Sequence, residues 1–239
     1  MSAPRSLSTT NVQEGCVLLF DKPYTWTSFQ VVKYVRKALE HRFNLNHLKV
    51  GHAGTLDPLA TGVLIICTGK ATKRIDQLQA GVKEYIATLK LGATTPSFDR
   101  EHEEDTHYPT GHITHELVEQ ALQQFIGTIQ QVPPVHSAVH VDGKRAYKLA
   151  RKGVEVELKA KTLTIDELEL LECQLPESIT LRVVCSKGTY IRALARDIGQ
   201  ALQSGAYLTA LQRTRVGDYR LNDCHQLSEL DEMMDEMTI

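Results

Sequence analysis

The residues best suited to chemistry lie in one glycine-rich run, Gly51-His52-Ala53-Gly54-Thr55-Leu56-Asp57-Pro58-Leu59-Ala60-Thr61-Gly62, which we call the Asp57 loop. Its single carboxylate is Asp57. The glycines permit backbone angles that other residues avoid, and Pro58 biases Asp57 toward an extended conformation. We therefore expect the loop to present the carboxylate for chemistry. An Asp-Pro pair also marks ordinary turns in which the Asp side chain bonds to its own backbone, so the run alone leaves both interpretations open.

Two other segments carry side chains that could act with a carboxylate. Ser186–Arg192 runs from a strand end through a glycine turn into a helix start, where Tyr190 and Arg192 would lie near an anion-binding terminus. The guanidinium of Arg192, if it is not a plain surface cation, can hold a carboxylate with two hydrogen bonds, and a partly buried Asp57 needs such a partner to stay ionised. Tyr85 could stack on a base, although a half-buried strand tyrosine is the commoner outcome.

A basic stretch lies between Gly143 and Gly153, and the four-residue spacing of its lysines would place them on one helical face. Such a face is either simply solvated or binds the phosphates of RNA. The net charge of −2 gives no support to non-specific coating of nucleic acid, so the local distribution of charge matters more than the total. The cations that could bind phosphates are Lys144, Arg145, Lys148, Arg151 and Lys152.

Other chemistries find little support. Four of the ten histidines lie in an acidic segment around residues 102–115, but their spacing matches no metal-ligand motif, so we predict no metal site. The Asp57 loop lacks the Lys-Ser/Thr pair of a phosphate-binding loop, and no Gly-x-Ser-x-Gly turn surrounds Ser137. Five scattered cysteines favour reduced thiols and a cytoplasmic location, and no run is long enough to span a membrane.

The elements that would position these residues mix helices and strands without βαβ alternation, which favours an α+β fold with a largely antiparallel sheet. The continuous apolar run after the Asp57 loop predicts a buried strand, and Thr27 or Ser28 would cap the first helix. Residues 98–111 are predicted to form a polar surface loop. The predicted strands are Cys16–Phe20, Val63–Cys67, Lys83–Leu91, Leu163–Leu171, Ile179–Ser186 and Ala206–Val216, and the predicted helices are Ser28–Arg42, Thr114–Ile126 and Ile191–Leu202.

The Asp57 loop, together with Asp21-Lys22-Pro23 and Thr27-Ser28 before it, resembles the bacterial TruB-type tRNA pseudouridine(55) synthases. The resemblance extends in the same order from about residue 15 to residue 219. Its further motifs are Lys83-Glu84-Tyr85, Thr95-Pro96-Ser97-Phe98-Asp99, Pro133-Pro134, Ser137-Ala138-Val139, Ala146-Tyr147, Cys185–Arg192 and Leu211–Gly217.

The resemblance implies a pseudouridine synthase fold, with a central, largely antiparallel mixed sheet flanked by helices, and an enzyme that isomerises uridine 55 in the T-loop of tRNA without a cofactor. Asp57 matches the catalytic aspartate, Tyr85 the tyrosine that stacks on the flipped uracil, and Arg192 the arginine paired with that aspartate. Further residues match positions that contact substrate or RNA in the family, namely His52, Tyr190, Leu211, Lys22 and Asp99. Activity on another T-loop-like RNA, or a non-catalytic RNA-folding role, remains the alternative.

The resemblance also implies an organisation of the chain and its partners. We expect a flexible tail over residues 1–14, a catalytic domain over 15–225 with an RNA-binding insertion at about 126–161, and a short acidic segment over 226–239. The chain ends without room for a C-terminal PUA domain, so we expect a smaller RNA contact. We also expect a monomer that needs no protein partner. One departure from the family's motif is Thr25, which stands where glycine is usual.

Overall fold

The computed structural model describes residues 10–135, 140–141, 144–145 and 158–239. The chain forms two compact units, which are described separately below. Unit 1 contains Met1–Glu84 and Gln212–Ile239, and unit 2 contains Tyr85–Leu211. No helix within the described ranges combines the length and the apolar character needed to cross a membrane.

The described strands and helices follow one another without βαβ alternation. The strands are β1 (Thr10–Asn11), β2 (Val17–Lys22), β3 (Val50–His52), β4 (Ala60–Thr68), β5 (Lys83–Leu91), β6 (Ala93–Thr94), β7 (Thr106–His107), β8 (Gly127–Gln131), β9 (His140–Val141), β10 (Lys144–Arg145), β11 (Lys161–Gln174), β12 (Ser178–Cys185), β13 (Ala206–Val216), β14 (Tyr219–Arg220) and β15 (Met237–Thr238). The helices are α1 (Ser28–Arg42), α2 (Ile75–Leu78), α3 (His115–Gln123), α4 (Ile191–Ala201) and α5 (Leu230–Asp235).

Strand β4 is the buried centre of unit 1, as its apolar run predicts. It pairs antiparallel with β2 and β3, and the strand order in this unit is β2-β4-β13. Successive side chains point to opposite faces of a strand. Leu64 and Ile66 therefore enter one apolar core with α1 and α5, whereas Val63, Ile65 and Cys67 enter a second core on the other face. With both faces covered, β4 gives the Asp57 loop a rigid support.

Helix α1 has the predicted bounds because its first turn is capped. The Thr27 hydroxyl accepts a hydrogen bond from the Gln30 N–H, and the Gln30 side chain accepts one from the Thr27 N–H, which forms a capping box. Its buried stripe contains Val31, Val32, Val35 and Leu39. Phe29, although apolar, lies outside that stripe: it is exposed, and Lys33 Nζ lies 5.0 Å from the centre of its ring. A residue on the outer face of the helix cannot reach the core.

Both ends of the described chain are more ordered than composition suggests. Strand β1 pairs with β15, and Val12 is fully buried, although residues 10–14 were assigned to a flexible tail. The C-terminal segment was predicted only to be short and acidic, but it contains α5. Acidic side chains occupy the solvent side of that helix, and apolar side chains enter the α1 core. These core residues are Leu227, Leu230, Met233, Met234 and Met237.

Unit 2 contains a sheet in the strand order β13-β5-β12-β11-β8. Strand β11 pairs antiparallel with β12 and with β8, a strand that has no counterpart among the predicted strands. Thr114 caps α3, which ends at Gln123 rather than Ile126. Helix α4 follows its predicted bounds to within one residue. The region predicted as a polar loop at 98–111 contains β7, which pairs with β6. The mixed helix and strand content and the antiparallel pairings confirm the expected α+β class.

Candidate active site

The backbone on both sides of Asp57 is fixed by contacts from α1 and from the segment that precedes it. The Ser28 hydroxyl accepts a hydrogen bond from the Leu56 N–H over 2.8 Å and donates one to the Leu56 carbonyl over 3.1 Å. On the other side, the Pro58 carbonyl accepts from the Thr25 N–H over 2.9 Å. The Asp57 carbonyl itself accepts from the Ala60 N–H over 3.1 Å, which closes the turn into β4. The carboxylate therefore extends from a backbone that is restrained before and after it.

Lys22 places a buried ammonium beside this loop. Its side chain has 0 % exposure, and Nζ donates hydrogen bonds to the carbonyls of Pro23, Trp26 and Pro58 over 2.9, 2.6 and 3.2 Å. Burial lowers the pKa of Lys22 from 10.5 to about 8, and attraction to the carboxylates of Asp57 and Asp21 opposes that shift. The structure therefore gives Lys22 a part in holding the Asp57 loop, and its contact with substrate stays a prediction.

Arg213 on β13 contacts the same loop from a second direction. Its guanidinium donates to the carbonyls of Gly54, Thr55 and Val63 over 3.1, 3.4 and 2.9 Å. The positive charge also acts on His52. Burial lowers the pKa of His52 below its ordinary value of 6.5, the charge of Arg213 lowers it further, and a backbone hydrogen bond with Gly54 opposes both effects. We therefore expect His52 to be neutral at pH 7.

Unit 2 holds Arg192 through a buried ion pair. Arg192 Nε lies 3.6 Å from Asp99 Oδ2, with side-chain exposures of 6 % and 9 %. One terminal nitrogen of Arg192 also donates to the Ser97 carbonyl over 3.1 Å, while Asp99 Oδ1 accepts from the Glu101 N–H over 2.9 Å. Two buried opposite charges with further hydrogen bonds have little freedom to move. The guanidinium of Arg192 is therefore fixed at the start of α4 by the segment that contains Asp99.

The other predicted site residues of unit 2 lie on well-defined backbone. Tyr190 precedes α4, and the side-chain amide of Gln131 contacts both its N–H and its carbonyl, over 2.9 and 3.2 Å. Tyr85 lies on β5 with 8 % exposure, and Leu211 lies on β13 and is half-buried. The structure thus brings Lys22, His52 and the Asp57 loop together within unit 1. The predicted approach of Asp57 to Tyr85 and Arg192 stays a prediction.

The basic stretch of the sequence lies largely outside the described residues. Lys148, Arg151 and Lys152 fall outside them, and for Lys144 and Arg145 the structure describes only the backbone of β10. Binding of RNA phosphates by these five cations stays a prediction.

Three residues that position the site were not predicted. Ser28 resembled a helix cap, but Thr27 is the cap and Ser28 bonds to Leu56 instead. Gln131 belongs to a strand with no sequence signal of its own. Arg213 lies in Leu211–Gly217, a segment of the family resemblance, where the sequence suited either an edge strand or a strand whose cations contact a ribose and phosphates; the side chain donates to backbone carbonyls instead. Each of these side chains bonds to backbone far away along the chain, and such pairs leave no local pattern.

Comparison with known proteins finds family matches and close relatives over most of the chain. The description TruB family pseudouridylate synthase (N terminal domain) matches residues 40–191, and tRNA pseudouridylate synthase B C-terminal domain matches residues 192–238. The chain is 68 % identical to tRNA pseudouridine synthase B of Phocaeicola vulgatus over 229 residues, covering 96 % of this chain and 97 % of that protein. It is 66 % identical to the protein of that name from Bacteroides thetaiotaomicron over 232 residues, covering 96 % and 97 %.

A solved structure shares the fold as well. A chain in the crystal structure of a Cbf5-Nop10-Gar1 complex is similar with a TM-score of 0.70 and 32 % identity, covering 92 % of this chain and 55 % of the solved one. The two family matches together extend over residues 40–238, and the alignments cover 97 % of each of the two relatives. The chain therefore belongs to the TruB family of pseudouridylate synthases.

Proposed function

We propose that this protein converts uridine 55 in the T-loop of tRNA to pseudouridine, with the Asp57 carboxylate acting on the sugar of the flipped nucleotide. The observation that carries the proposal is the backbone on both sides of Asp57, which is held at Leu56 and Pro58, in a member of this family. Relatives of the same length are named tRNA pseudouridine synthase B, which supports tRNA as the substrate.

The reaction sets the requirements for the site. The N1–C1′ bond must break, the uracil must turn while it is held, and C5 must bond to C1′ before it loses its proton. Asp57 would act either as the nucleophile at C1′ or as the base that starts elimination to a glycal. A carboxylate suits either role, as it does where positive charge develops at an anomeric carbon in glycoside chemistry. No external oxidant or group donor is needed, because the product is an isomer of the substrate.

The other residues would hold the everted nucleotide. Flipping a base costs a few kcal/mol, and one aromatic stack returns about 1–3 kcal/mol, so stacking on Tyr85 would offset much of the cost. Arg192, held by Asp99, would pair with Asp57 and keep it ionised. Neutral His52 would enter the space that the base leaves in the RNA, while Tyr190 and Leu211 would contact the target nucleotide.

Two variants test the catalytic role. We expect Asp57→Asn to release no tritium from tRNA transcripts that carry [5-³H]uridine, while its affinity for the same transcripts stays within about threefold of wild type. Asp76→Asn is the matched control, because Asp76 is an exposed carboxylate on α2, and it should react like wild type. Full turnover by Asp57→Asn would reject the assignment. Tritium release from a transcript without uridine 55 would point to a different target uridine.

RNA affinity would come partly from the basic stretch. Each lysine that neutralises a phosphate contributes roughly 0.7–0.9 to the slope of log affinity against log salt. The double variant Lys148→Ala with Lys152→Ala should therefore bind more weakly at low salt, with a slope smaller by about 1.5, and should keep its single-turnover rate at saturating enzyme. An unchanged slope would mean that these cations form only a solvated face.

The wider setting is part of the same proposal. We infer a cytoplasmic monomer that acts on the T-arm stem-loop without a protein partner. Mapping pseudouridine in total RNA from cells with and without this protein should show loss at uridine 55 of tRNA. Loss in another RNA instead would favour a T-loop-like target elsewhere, and no loss at any site would favour a non-catalytic RNA-folding role.

A further inference from the structure

Arg213 is among the most deeply buried charged side chains in the described part of the chain, with 1 % exposure. All three guanidinium nitrogens donate to backbone carbonyls, Nε to Val63 and the two terminal nitrogens to Thr55 and Gly54. A buried cation costs several kcal/mol unless its donors are satisfied. The three hydrogen bonds offset the cost of burying the Arg213 charge, so the role of this residue follows from the backbone groups to which it donates.

The three carbonyls lie at the two ends of the segment that carries Asp57. Gly54 and Thr55 precede Asp57 by three and two residues, and Val63 is the first residue after the Asp57 loop. One rigid group thus connects the backbone before Asp57 to strand β4, which follows it. Because residues 54–55 and Val63 bond to the same side chain, the backbone before Asp57 cannot separate from the backbone after it without breaking hydrogen bonds to a buried charge.

The backbone of Arg213 also lies against the loop. A Cβ built on Gly62 would come within 2.2 Å of the Arg213 carbonyl oxygen and 2.7 Å of its nitrogen, so no larger residue fits there without a backbone shift. Gly62 has a φ of +102°, and Gly54 has a φ of +95°. Both glycines thus adopt the left-handed conformations that bring the loop into contact with Arg213. The side chain and the backbone of Arg213 act on the same segment.

Only arginine offers this geometry. Its planar guanidinium presents donors in several fixed directions, whereas a lysine ammonium is a compact point charge on a flexible stem. Lysine at this position could satisfy the carbonyls on one side of Asp57 but not those on both sides. The arrangement also differs from the use of arginine against RNA phosphates, because each of these nitrogens already donates to protein backbone.

We propose that Arg213 is a positioning residue of the active site, which sets the place of the Asp57 carboxylate by joining the backbone at Gly54 and Thr55, before Asp57, to the backbone at Val63, after it. The proposal rests on the function proposed for Asp57, and Arg213 itself touches neither substrate nor the reacting atoms in it. A displacement of about 1 Å at a reacting group can cost roughly a hundredfold in rate. Loss of this restraint should therefore act mainly on the chemical step.

The test compares two conservative variants. Arg213→Lys keeps the charge and removes the planar group. Arg36→Lys is the matched control, because Arg36 donates over 3.0 Å to the carbonyl of Val50, a residue of the same unit that lies outside residues 53–63. We expect both variants to lose stability. Only Arg213→Lys should lower the single-turnover rate on tRNA transcripts, by about tenfold or more, while KM stays within about threefold.

A second readout does not depend on activity. Amide hydrogen exchange over residues 53–63 should become faster in Arg213→Lys and stay unchanged in Arg36→Lys. Should Arg213→Lys fail to fold, Gly54→Ala replaces it, because a side chain at this positive φ is strained and displaces the same carbonyl without emptying a buried site. The same two signatures are expected from that variant.

Each outcome decides the proposal. Unchanged exchange over the loop, or a rate loss no larger than that of Arg36→Lys, would overturn it. Faster exchange with a lower rate supports it. If the wild-type protein does not form pseudouridine in tRNA, the proposed function fails, but the exchange measurement still reports whether Arg213 restrains the loop.

Discussion

One hydroxyl group serves as both acceptor and donor for the residue before Asp57: Ser28 Oγ receives the Leu56 N–H over 2.8 Å and donates to the Leu56 carbonyl over 3.1 Å. Ser28 is the first residue of α1, which packs in the main core of unit 1. The backbone next to Asp57 is therefore held against a rigid helix by the buried side chain of Ser28.

Removing that hydroxyl should cost both stability and rate. Ser28→Ala leaves the Leu56 N–H and carbonyl buried without these bonds, so we expect the free energy of unfolding to fall by about 1–3 kcal/mol in urea titrations. The single-turnover rate should fall as well, because Leu56 is adjacent to Asp57. Ser204→Ala is the control, since it removes a hydroxyl that donates to Pro109 in unit 2. A wild-type rate in Ser28→Ala would show that Ser28 serves folding alone.

Titration of Lys22 should limit activity at high pH. Its pKa of about 8 means that the ammonium loses its charge as the pH rises through that value, which removes a positive charge near Asp57 and one donor to the surrounding carbonyls. We expect the single-turnover rate to fall between pH 7 and 8.5. A rate that stays level over this range would contradict the prediction.

The stability of the protein should respond in the opposite direction. Between pH 8 and the ordinary value of 10.5, Lys22 is neutral in the folded chain and protonated in the unfolded chain. The unfolded state then binds more protons, so the contribution of Lys22 to the free energy of unfolding rises with pH through this window. The loss of rate is therefore not a loss of fold. Lys22→Arg should move the fall in the single-turnover rate to higher pH. If the fall stays at the same pH in this variant, a group other than Lys22 causes it.

Breaking the buried Arg192–Asp99 ion pair should lower the free energy of unfolding more than breaking an exposed ion pair. Asp99→Asn leaves the Arg192 charge buried beside a neutral amide, and we expect it to lower the free energy of unfolding by up to about 3 kcal/mol. Glu167→Gln is the comparison, because the Arg182–Glu167 pair at 2.7 Å is solvent-exposed and should contribute less than about 1 kcal/mol. Equal losses in urea titrations would mean that burial does not set the strength of the Arg192–Asp99 pair.

Thr25, the departure from the family's glycine, has a φ of +71°. A left-handed conformation costs a residue with a Cβ about 1–2 kcal/mol, while glycine makes the unfolded chain more flexible by roughly 0.4–1 kcal/mol. Thr25→Gly should therefore stabilise the protein by roughly 1 kcal/mol and raise its melting temperature. Asn44→Gly, at a φ of +50°, should gain less because asparagine tolerates this conformation. A lower melting temperature in Thr25→Gly would show that the threonine side chain supports the loop.

Much of the local structure could be predicted from the sequence alone. The Thr27–Gln30 capping box and the apolar stripe define α1, the unbroken apolar run defines β4, and the glycine-rich run with one carboxylate identifies Asp57. These signals are local, because capping, periodicity and turn geometry depend on residues within a few positions of one another. The family resemblance depends on motifs in a fixed order along the chain, so it could also be recognised from the sequence alone.

Only the tertiary structure decided how those pieces are held. Ser28 bonds to a residue 28 positions away, Arg192 donates to Ser97 across 95 positions, and Arg213 reaches Gly54 across 159. A serine after a cap, or an arginine in a strand, has the same sequence appearance whether it faces water or a buried carbonyl. The choice depends on burial and on which backbone groups lack a partner within their own element, and both are set by the packed chain as a whole.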